Sequence, residues 1–365
     1  MSLSLGIVGL PNVGKSTLFN ALTRQSVDAA NYPFCTIDPS VGIVPVPDDR
    51  LEALSVFSSS IQTLPAVIEF VDIAGLVQGA SAGEGLGNKF LSHIREVDAI
   101  IQVVRIFEGD DIHHVSGGIN PLKDIGIINL ELILADQETA QKRRNNLEKE
   151  IRGGDKKAAN ESQILEKIMA VLEEGKLARV VDLSEEEEKA IRHLHLLTMK
   201  KMLYALNRRA GGSNLDEKND ERFQELKAYF EESGSSYIYV DAQVEAEMKD
   251  LNTDEKEEFR KEYGSTSIGL EGLIQEGYAL LNLISFFTTG EKETRAWTIV
   301  RDSKAPIAGS AIHSDFRDKF IRAEVVAYDA LIEAGSYAEA RKKGLVRTEG
   351  KEYVVKDGDV IEFLI

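Results

Sequence analysis

The chain has 365 residues, enough for two or three domains around buried cores. Hydrophobic residues make up 43% and charged residues 28%, the balance of a globular enzyme, and a formal net charge of −18 excludes a surface that coats nucleic acid as a whole. DNA is therefore not an expected partner, and any polyanion must be met by a local basic patch. The single cysteine, Cys35, excludes an internal disulfide and a cysteine metal cluster. The apolar run Ala99 to Phe107 is interrupted by Gln102 and Arg105 and is too short to span a bilayer. Met1-Ser-Leu-Ser-Leu5 carries no basic n-region. The expectation is a cytoplasmic monomer with no membrane partner.

Leu5 to Leu10 reads as a buried strand running into a turn, and Ser16 to Leu22 has helical spacing at Leu18, Phe19 and Leu22. Val41 to Val46, Ala66 to Val71 and Ala99 to Phe107 are rich in Val and Ile and read as further strands. Strands alternating with helices predict an α/β fold with a mostly parallel sheet covered on both faces. From Asn129 to Leu203 strand signals vanish, and two charged segments flank Arg152-Gly-Gly-Asp155, a break between antiparallel helices. This predicts an inserted helical hairpin with an arm of roughly 35 Å at about 1.5 Å per residue. Near its tip stand Lys142, Arg143, Arg144, Lys149, Arg152, Lys156 and Lys157 against Glu138, Glu148, Glu150 and Asp155. Seven minus four leaves a local excess of +3, on either a solvated ion-paired face or a contact surface. Met202 to Leu206 and Tyr237 to Val240 read as strands around a helix-like Asp220 to Phe230. The tail from Tyr353 to Ile365 alternates in two runs about Asp357-Gly358, as a small β-rich module would. The expected division is an α/β domain in two parts (1–128 and 204–280), a hairpin (129–203) and a C-terminal module (281–365).

Gly9-Leu-Pro-Asn12-Val13-Gly14-Lys15-Ser16-Thr17 satisfies the G-x-x-x-x-G-K-[ST] pattern of a P-loop, after a predicted strand and at the start of a predicted helix. Glycines let main-chain N–H groups converge on a polyphosphate, and the helix N-terminus adds partial positive charge. Lys15 supplies a point charge to the β and γ phosphates. Asn12, Val13, Gly14, Lys15, Ser16 and Thr17 are the candidate phosphate-binding residues, and the Ser16 hydroxyl is a candidate Mg²⁺ ligand. Val67 to Asp72 is an apolar strand ending in Asp72-Ile-Ala-Gly75. Asp72 can hold Mg²⁺ directly or through water, and Gly75 can offer its N–H to the γ phosphate. Within Asn31 to Pro39, Thr36 is the candidate to close over Mg²⁺. Gly75 to Gly87 is glycine-dense, as a switch segment would be. Many GTPases place a water-orienting glutamine directly after the D-x-x-G glycine; here the position is Leu76, which cannot orient water. His113 and His114 follow the strand Ala99 to Phe107 on the edge where an α/β sheet carries its ligand. Either can reach a nucleophilic water, and His114 is favoured.

These segments resemble the YchF/Obg-like ATPase family of translation-factor-related P-loop hydrolases. Beside the P-loop they are Asn31-Tyr-Pro-Phe-Cys-Thr36, Asp72-Ile-Ala-Gly-Leu-Val-Gln-Gly-Ala-Ser81, Gly85-Leu-Gly-Asn-Lys-Phe-Leu91 and Ile94-Arg-Glu-Val-Asp-Ala99. Arg295-Ala-Trp-Thr298, His313-Ser-Asp-Phe316, Phe320-Ile-Arg-Ala323 and Val355-Lys-Asp-Gly-Asp-Val360 follow in the family's order across nearly the whole chain. The resemblance implies a G domain, a coiled-coil-like hairpin insertion and a C-terminal β-grasp-like TGS domain. It also implies association with the ribosome or a subunit, and hydrolysis of ATP in preference to GTP. Leu76 then marks the subgroup with a hydrophobic residue in place of glutamine, and His114, in Ile112-His-His-Val115, is the candidate water-positioning residue. The family's base motif is Asn-x-x-Glu, where GTPases carry an Asn-Lys-x-Asp whose aspartate accepts from guanine N1–H and the 2-amino group. Here the segment is Asn207-Arg208-Arg209-Ala210, so Asn207 fits and Ala210 departs from the pattern. Main-chain groups at Arg208 and the loop Ala242 to Glu245 are left to read the base. Asn12 resembles the residue of relatives that recruit K⁺ as a second cation; the alternative is a turn residue. The expectation is a Mg²⁺-dependent ATPase, with GTP tolerance open and Lys15, Gly75 and His114 as catalytic residues. The alternatives are a GTP-specific Obg-type GTPase and a nucleotide-gated binding module with incidental hydrolysis.

Overall fold

The computed structural model describes residues 3–24, 38, 40–73, 86–109, 119–248, 251, 255, 258–259 and 269–365. In chain order the first elements are β1 (Ser4–Val8), α1 (Lys15–Thr23), β2 (Val41–Pro45), α2 (Asp49–Ser58), β3 (Gln62–Leu64) and β4 (Val67–Asp72). There follow α3 (Leu86–Glu96), β5 (Ala99–Arg105), β6 (Phe107–Glu108), α4 (Pro121–Arg152), α5 (Lys156–Glu173) and α6 (Glu185–Ile191). Next come β7 (Lys201–Asn207), β8 (Ser213–Asn214), α7 (Glu221–Ser233), β9 (Ser236–Val240), α8 (Ala242–Glu247) and α9 (Gly269–Leu280). The last part holds β10 (Leu283–Thr289), β11 (Glu293–Val300), α10 (Ala305–Ser310), α11 (Ser314–Asp318) and β12 (Arg322–Ala327). It ends with α12 (Tyr328–Ala334), α13 (Tyr337–Lys342), β13 (Arg347–Glu349) and β14 (Asp359–Leu364). No helix among the described residues is long and apolar enough to cross a membrane.

These elements form two compact units. The first holds the described residues within Met1–Arg24, Phe34–Gly42 and Glu69–Leu273. Its sheet runs β2-β4-β1-β5-β7-β9, with β4, β1, β5, β7 and β9 paired in parallel. The whole of β5 is buried, including Gln102 and Arg105, as a strand covered on both faces requires. The register Ile7↔Asp72, Arg105↔Asn207 and Asn207↔Val240 brings the C-terminal ends of the strands to one edge. The strand expected over Ala99 to Phe107 stops at Arg105. There the guanidinium turns back, donating from Nε to the Phe107 carbonyl at 2.9 Å and stacking 4.5 Å from that ring. The chain then forms β6, which pairs with β8 instead of the main sheet.

Helix α4 begins at Pro121, ahead of the expected Asn129, because Asn120 caps it by accepting from the Lys123 N–H at 2.9 Å and Pro121 sits in the first turn. Its 32 residues reach about 48 Å, longer than the sequence alone suggests. After Gly153 and Gly154 (φ +85°), Asp155 caps α5 by accepting from Lys157 and Ala158. Ala140 and Leu147 of α4 pack against Ala158, Leu165 and Met169 of α5. Nearer the sheet, the buried Asp136 accepts from the N–H groups of Leu197 and Thr198 and from the Thr198 hydroxyl, at 2.6–2.9 Å.

The second unit holds the described residues within Ile43–Ile68 and Ile274–Ile365, so its boundary differs from the one expected at residue 281. The reason is packing: α2 lies against β10 and β11, and β3 pairs in parallel with β11 at the sheet edge. The sheet order is β13-β12-β14-β10-β11-β3, mixed in direction, over a core that includes Ile284, Phe286, Ile299, Val325 and Phe363. The alternating tail is one strand, not two. Val354 makes a single bridge to Lys304, and Asp357-Gly358 (φ +86°) turns the chain into β14. Alternation over Tyr353 to Lys356 records the burial of Val355 and not a hairpin.

Candidate functional site

The P-loop leaves β1 at the edge where the parallel strands end and enters α1 through Gly14. Two of its glycines are dictated by space. A Cβ on Gly9 would lie 2.7 Å from the Val103 carbonyl oxygen, and one on Gly14, at φ +101°, would lie 2.3 Å from Asn207 Nδ2. Asn12 adopts φ +63°, a conformation asparagine tolerates in tight turns. Val13 is buried, whereas Ser16 and Thr17 are exposed at the N-terminus of α1, where main-chain N–H groups favour an anion. Lys15 is 8% exposed and donates from Nζ to the Leu10 carbonyl at 2.9 Å. Burial pulls its pKa down, and the Asp72 carboxylate opposes that shift.

Asp72 ends β4 beside Ile7 of β1. Burial raises its pKa, and the charge of Lys15 opposes the rise. Its Oδ1 is buried without a hydrogen-bond partner. Such an orphaned acceptor next to a phosphate-binding loop suits a divalent cation. Among the described residues no group of three or more His, Cys, Asp or Glu could hold a metal by itself.

At the base end, Asn207 is 4% exposed and spans two segments. Its Nδ2 donates to the Val13 carbonyl at 2.9 Å, and its Oδ1 accepts from the Ala242 N–H at 3.1 Å. These two bonds use one amide hydrogen and one lone pair of the side chain. Arg208 donates from its main-chain N–H to the Val240 carbonyl at 2.8 Å. Its guanidinium pairs with Asp216 and lies 4.0 Å from the Tyr239 ring centroid. The expected loop Ala242 to Glu245 is the first turn of α8, capped by Asp241. Asp241 was missed by sequence reasoning. The signal was present: an aspartate between a strand pattern and Ala-Gln-Val is an N-cap.

Thr36, Gly75, Leu76, His113 and His114 lie outside the described residues. Arg222 bonds both Glu108 Oε1 (2.8 Å) and the Ile119 carbonyl (3.0 Å), which flank the two histidines in sequence. At the hairpin tip Arg143 is bidentate to Glu161 (2.7 and 2.9 Å) and also pairs with Glu150, while Arg144 pairs with Glu166 and Arg152 with Glu148. Lys142, Lys149, Lys156 and Lys157 are exposed and make no ion pair among the described residues.

Residues 4–143 match the family described as 50S ribosome-binding GTPase. Together with this sheet edge, the match defines the class: a P-loop nucleoside triphosphate hydrolase on an α/β fold. Residues 283–365 match the C-terminal YchF GTPase family, described as a protein of unknown function (DUF933). The chain belongs to the YchF family. The Ribosome-binding ATPase YchF of Bacillus subtilis (strain 168) is 52% identical over 363 residues, covering 100% of this chain and 99% of that one. Its namesake in Escherichia coli O157:H7 is 48% identical over 364 residues with the same coverage. The solved Schizosaccharomyces pombe YchF GTPase is 38% identical with a TM-score of 0.88, covering 100% of this chain and 98% of that one.

Proposed function

We propose that this protein is a Mg²⁺-dependent ATPase whose nucleotide state governs its binding to the ribosome. The observation that carries the choice of ATP is at the base end. Position 210 is an alanine, and the nearby Asp241 carboxylate is buried and accepts from main-chain N–H groups. Position 210, where GTPases carry the aspartate that accepts from guanine N1–H and the 2-amino group, thus holds no carboxylate, and the Asp241 carboxylate beside it is already engaged by main-chain N–H groups. The names of the Bacillus subtilis and Escherichia coli relatives, Ribosome-binding ATPase, support both halves of the reading.

In this reading Asn12 to Thr17 cradle the phosphates, Lys15 neutralises charge on the β and γ groups, and Asn207 fixes the P-loop to the base end. Ser16, Asp72 and Thr36 would hold Mg²⁺, which when bound offsets phosphate charge in the transition state. Gly75 senses the γ phosphate and His114 orients the attacking water, with Leu76 unable to do so. Turnover without a partner is accordingly slow. The first unit is the G domain carrying α4 and α5 as its hairpin. The C-terminal module is a β-grasp-like TGS domain, a reading supported by the parallel neighbours β10 and β14 flanked by antiparallel strands. The test is equilibrium binding of fluorescent ATP and GTP analogues with Mg²⁺, each competed with the other unlabelled nucleotide. Tighter ATP binding is expected; binding of GTP alone would overturn the ATPase reading and leave an Obg-type GTPase.

A further inference from the structure

Asp241 closes β9 at 3% exposure, and its two oxygens serve two segments. Oδ2 accepts from the Ala210 N–H at 2.6 Å, and Oδ1 accepts from the Val244 N–H at 3.0 Å. Beside it Asn207, at the end of the neighbouring strand, ties the P-loop at Val13 to Ala242. The two side chains form a cross-brace joining the P-loop, the 208–210 loop and the start of α8. Ala210 has no polar side chain with which to hold its own loop. Charge-assisted bonds to main-chain N–H groups are short and directional, so the carboxylate sets where Ala210 lies, while Asn214 holds the Arg209 N–H and carbonyl (3.0 and 3.1 Å).

We infer that Asp241 is a positioning residue that determines base specificity, setting the 208–210 main chain against α8 from the neighbouring strand. It acts through Ala210 and does not touch the nucleotide. The inference rests on this pocket taking a nucleoside triphosphate, and not on which base that nucleotide carries.

Two variants separate loop-holding from helix-capping. Asp241→Ser keeps a side-chain oxygen that caps α8 but is too short to reach Ala210 as well. Asp241→Asn keeps the shape but turns an N–H₂ toward one of the N–H donors. Both are compared with wild type for binding of ATP, GTP and inorganic tripolyphosphate, and for thermal midpoint. Expected for Asp241→Ser is a midpoint close to wild type and tripolyphosphate affinity within about twofold. The affinity for the preferred nucleotide falls about tenfold, and the ATP-to-GTP ratio moves toward one. An unchanged ratio would reduce Asp241 to a helix cap and overturn the inference, as would an equal loss of tripolyphosphate binding. If Asp241→Asn does not fold, the serine variant alone decides. A wild-type preference for GTP would overturn the ATPase reading while leaving this comparison intact.

Discussion

Gly14 meets two constraints at once, a φ of +101° and an Asn207 amide 2.3 Å from where a Cβ would stand. Gly14→Ala therefore strains the loop by about 1–3 kcal/mol and pushes away the amide that ties Val13 to Ala242. The expected outcome is a loss of nucleotide affinity of at least about tenfold by fluorescence titration. Gly154 is the control: its φ is +85°, but nothing lies within 4 Å of an added Cβ. Gly154→Ala should cost about 1 kcal/mol of stability and leave nucleotide affinity alone. Charge gives a second test at this scale. Hydrogen bonds from Arg222 hold both the Glu108 and Asp220 carboxyls down at about 2. Their folded pKa values lie below the unfolded ones, so what they add to stability is present above the ordinary carboxylate range. It is lost as pH falls from there through about 2. Their side chains are 42% and 22% exposed, so solvent screening limits each contribution to roughly 1 kcal/mol or less. In Arg222→Met, Glu108 should titrate above about 2 but still below its ordinary 4.5, because Lys218 and Ser213 remain, read by NMR. A Glu108 that still titrates at about 2 would show that Lys218 and Ser213 suffice.

The hairpin shows what a sequence can and cannot disclose about an element. The break at Gly153-Gly154 and the polar faces on either side are legible because helix ends are written locally, in caps and glycines. The P-loop and β5 are legible for the same reason, being continuous in the chain. The +3 excess near the tip is also legible, but its partition is not, because a charge count ignores partners across the helix pair. Arg143 is held by Glu161, whose side chain is only 10% exposed, whereas four lysines stand free of ion pairs among the described residues. Arg143→Met should lower stability by about 1–3 kcal/mol, because it leaves Glu161 short of its main partner. Reversing Lys142, Lys149, Lys156 and Lys157 to glutamate should leave the thermal midpoint nearly unchanged and abolish cosedimentation with ribosomes at moderate salt. Undiminished cosedimentation would leave the tip as a solvated face. The bond from Ala210 to Asp241 is illegible for a similar reason: the N-cap role is local, but this bond joins positions 31 residues apart.

At the scale of the whole molecule, the C-terminal module is not expected to fold when cut free where the sequence suggests. Residues 281–365 hold β10 to β14, yet the unit they build also takes in Ile43–Ile68. Within it Ser60 Oγ bonds the Gly290 carbonyl at 2.8 Å and Thr294 Oγ1 at 2.7 Å, and Thr289 Oγ1 bonds Ser58 Oγ at 2.7 Å. Arg50 reaches Asp357 at 2.8 Å and lies 5.2 Å from the centroid of Phe287. Asp357 in turn fixes the turn into β14 by accepting from the Ser285 N–H at 3.0 Å. Leu51, Leu54 and Leu64 are buried, each worth roughly 1.5–3 kcal/mol. Their loss is comparable with the whole stability of a small domain, about 5–15 kcal/mol. A fragment of residues 281–365 would keep the Ser285–Asp357 bond but lack every contact to residues 43–68 and leave β11 as an open edge. The expected outcome is a fragment with no cooperative thermal transition or a strongly depressed one. A fragment joining 43–68 to 274–365 through a flexible linker should recover that transition. The measurement is calorimetry on the two fragments and the full chain. Cooperative unfolding of 281–365 within a few degrees of the C-terminal transition in the full chain would show that the first-third segment is an accessory. The recovery expected instead would make α2 and β3 part of the module's core. Any change that displaces that segment would then reach the C-terminal sheet without crossing a linker.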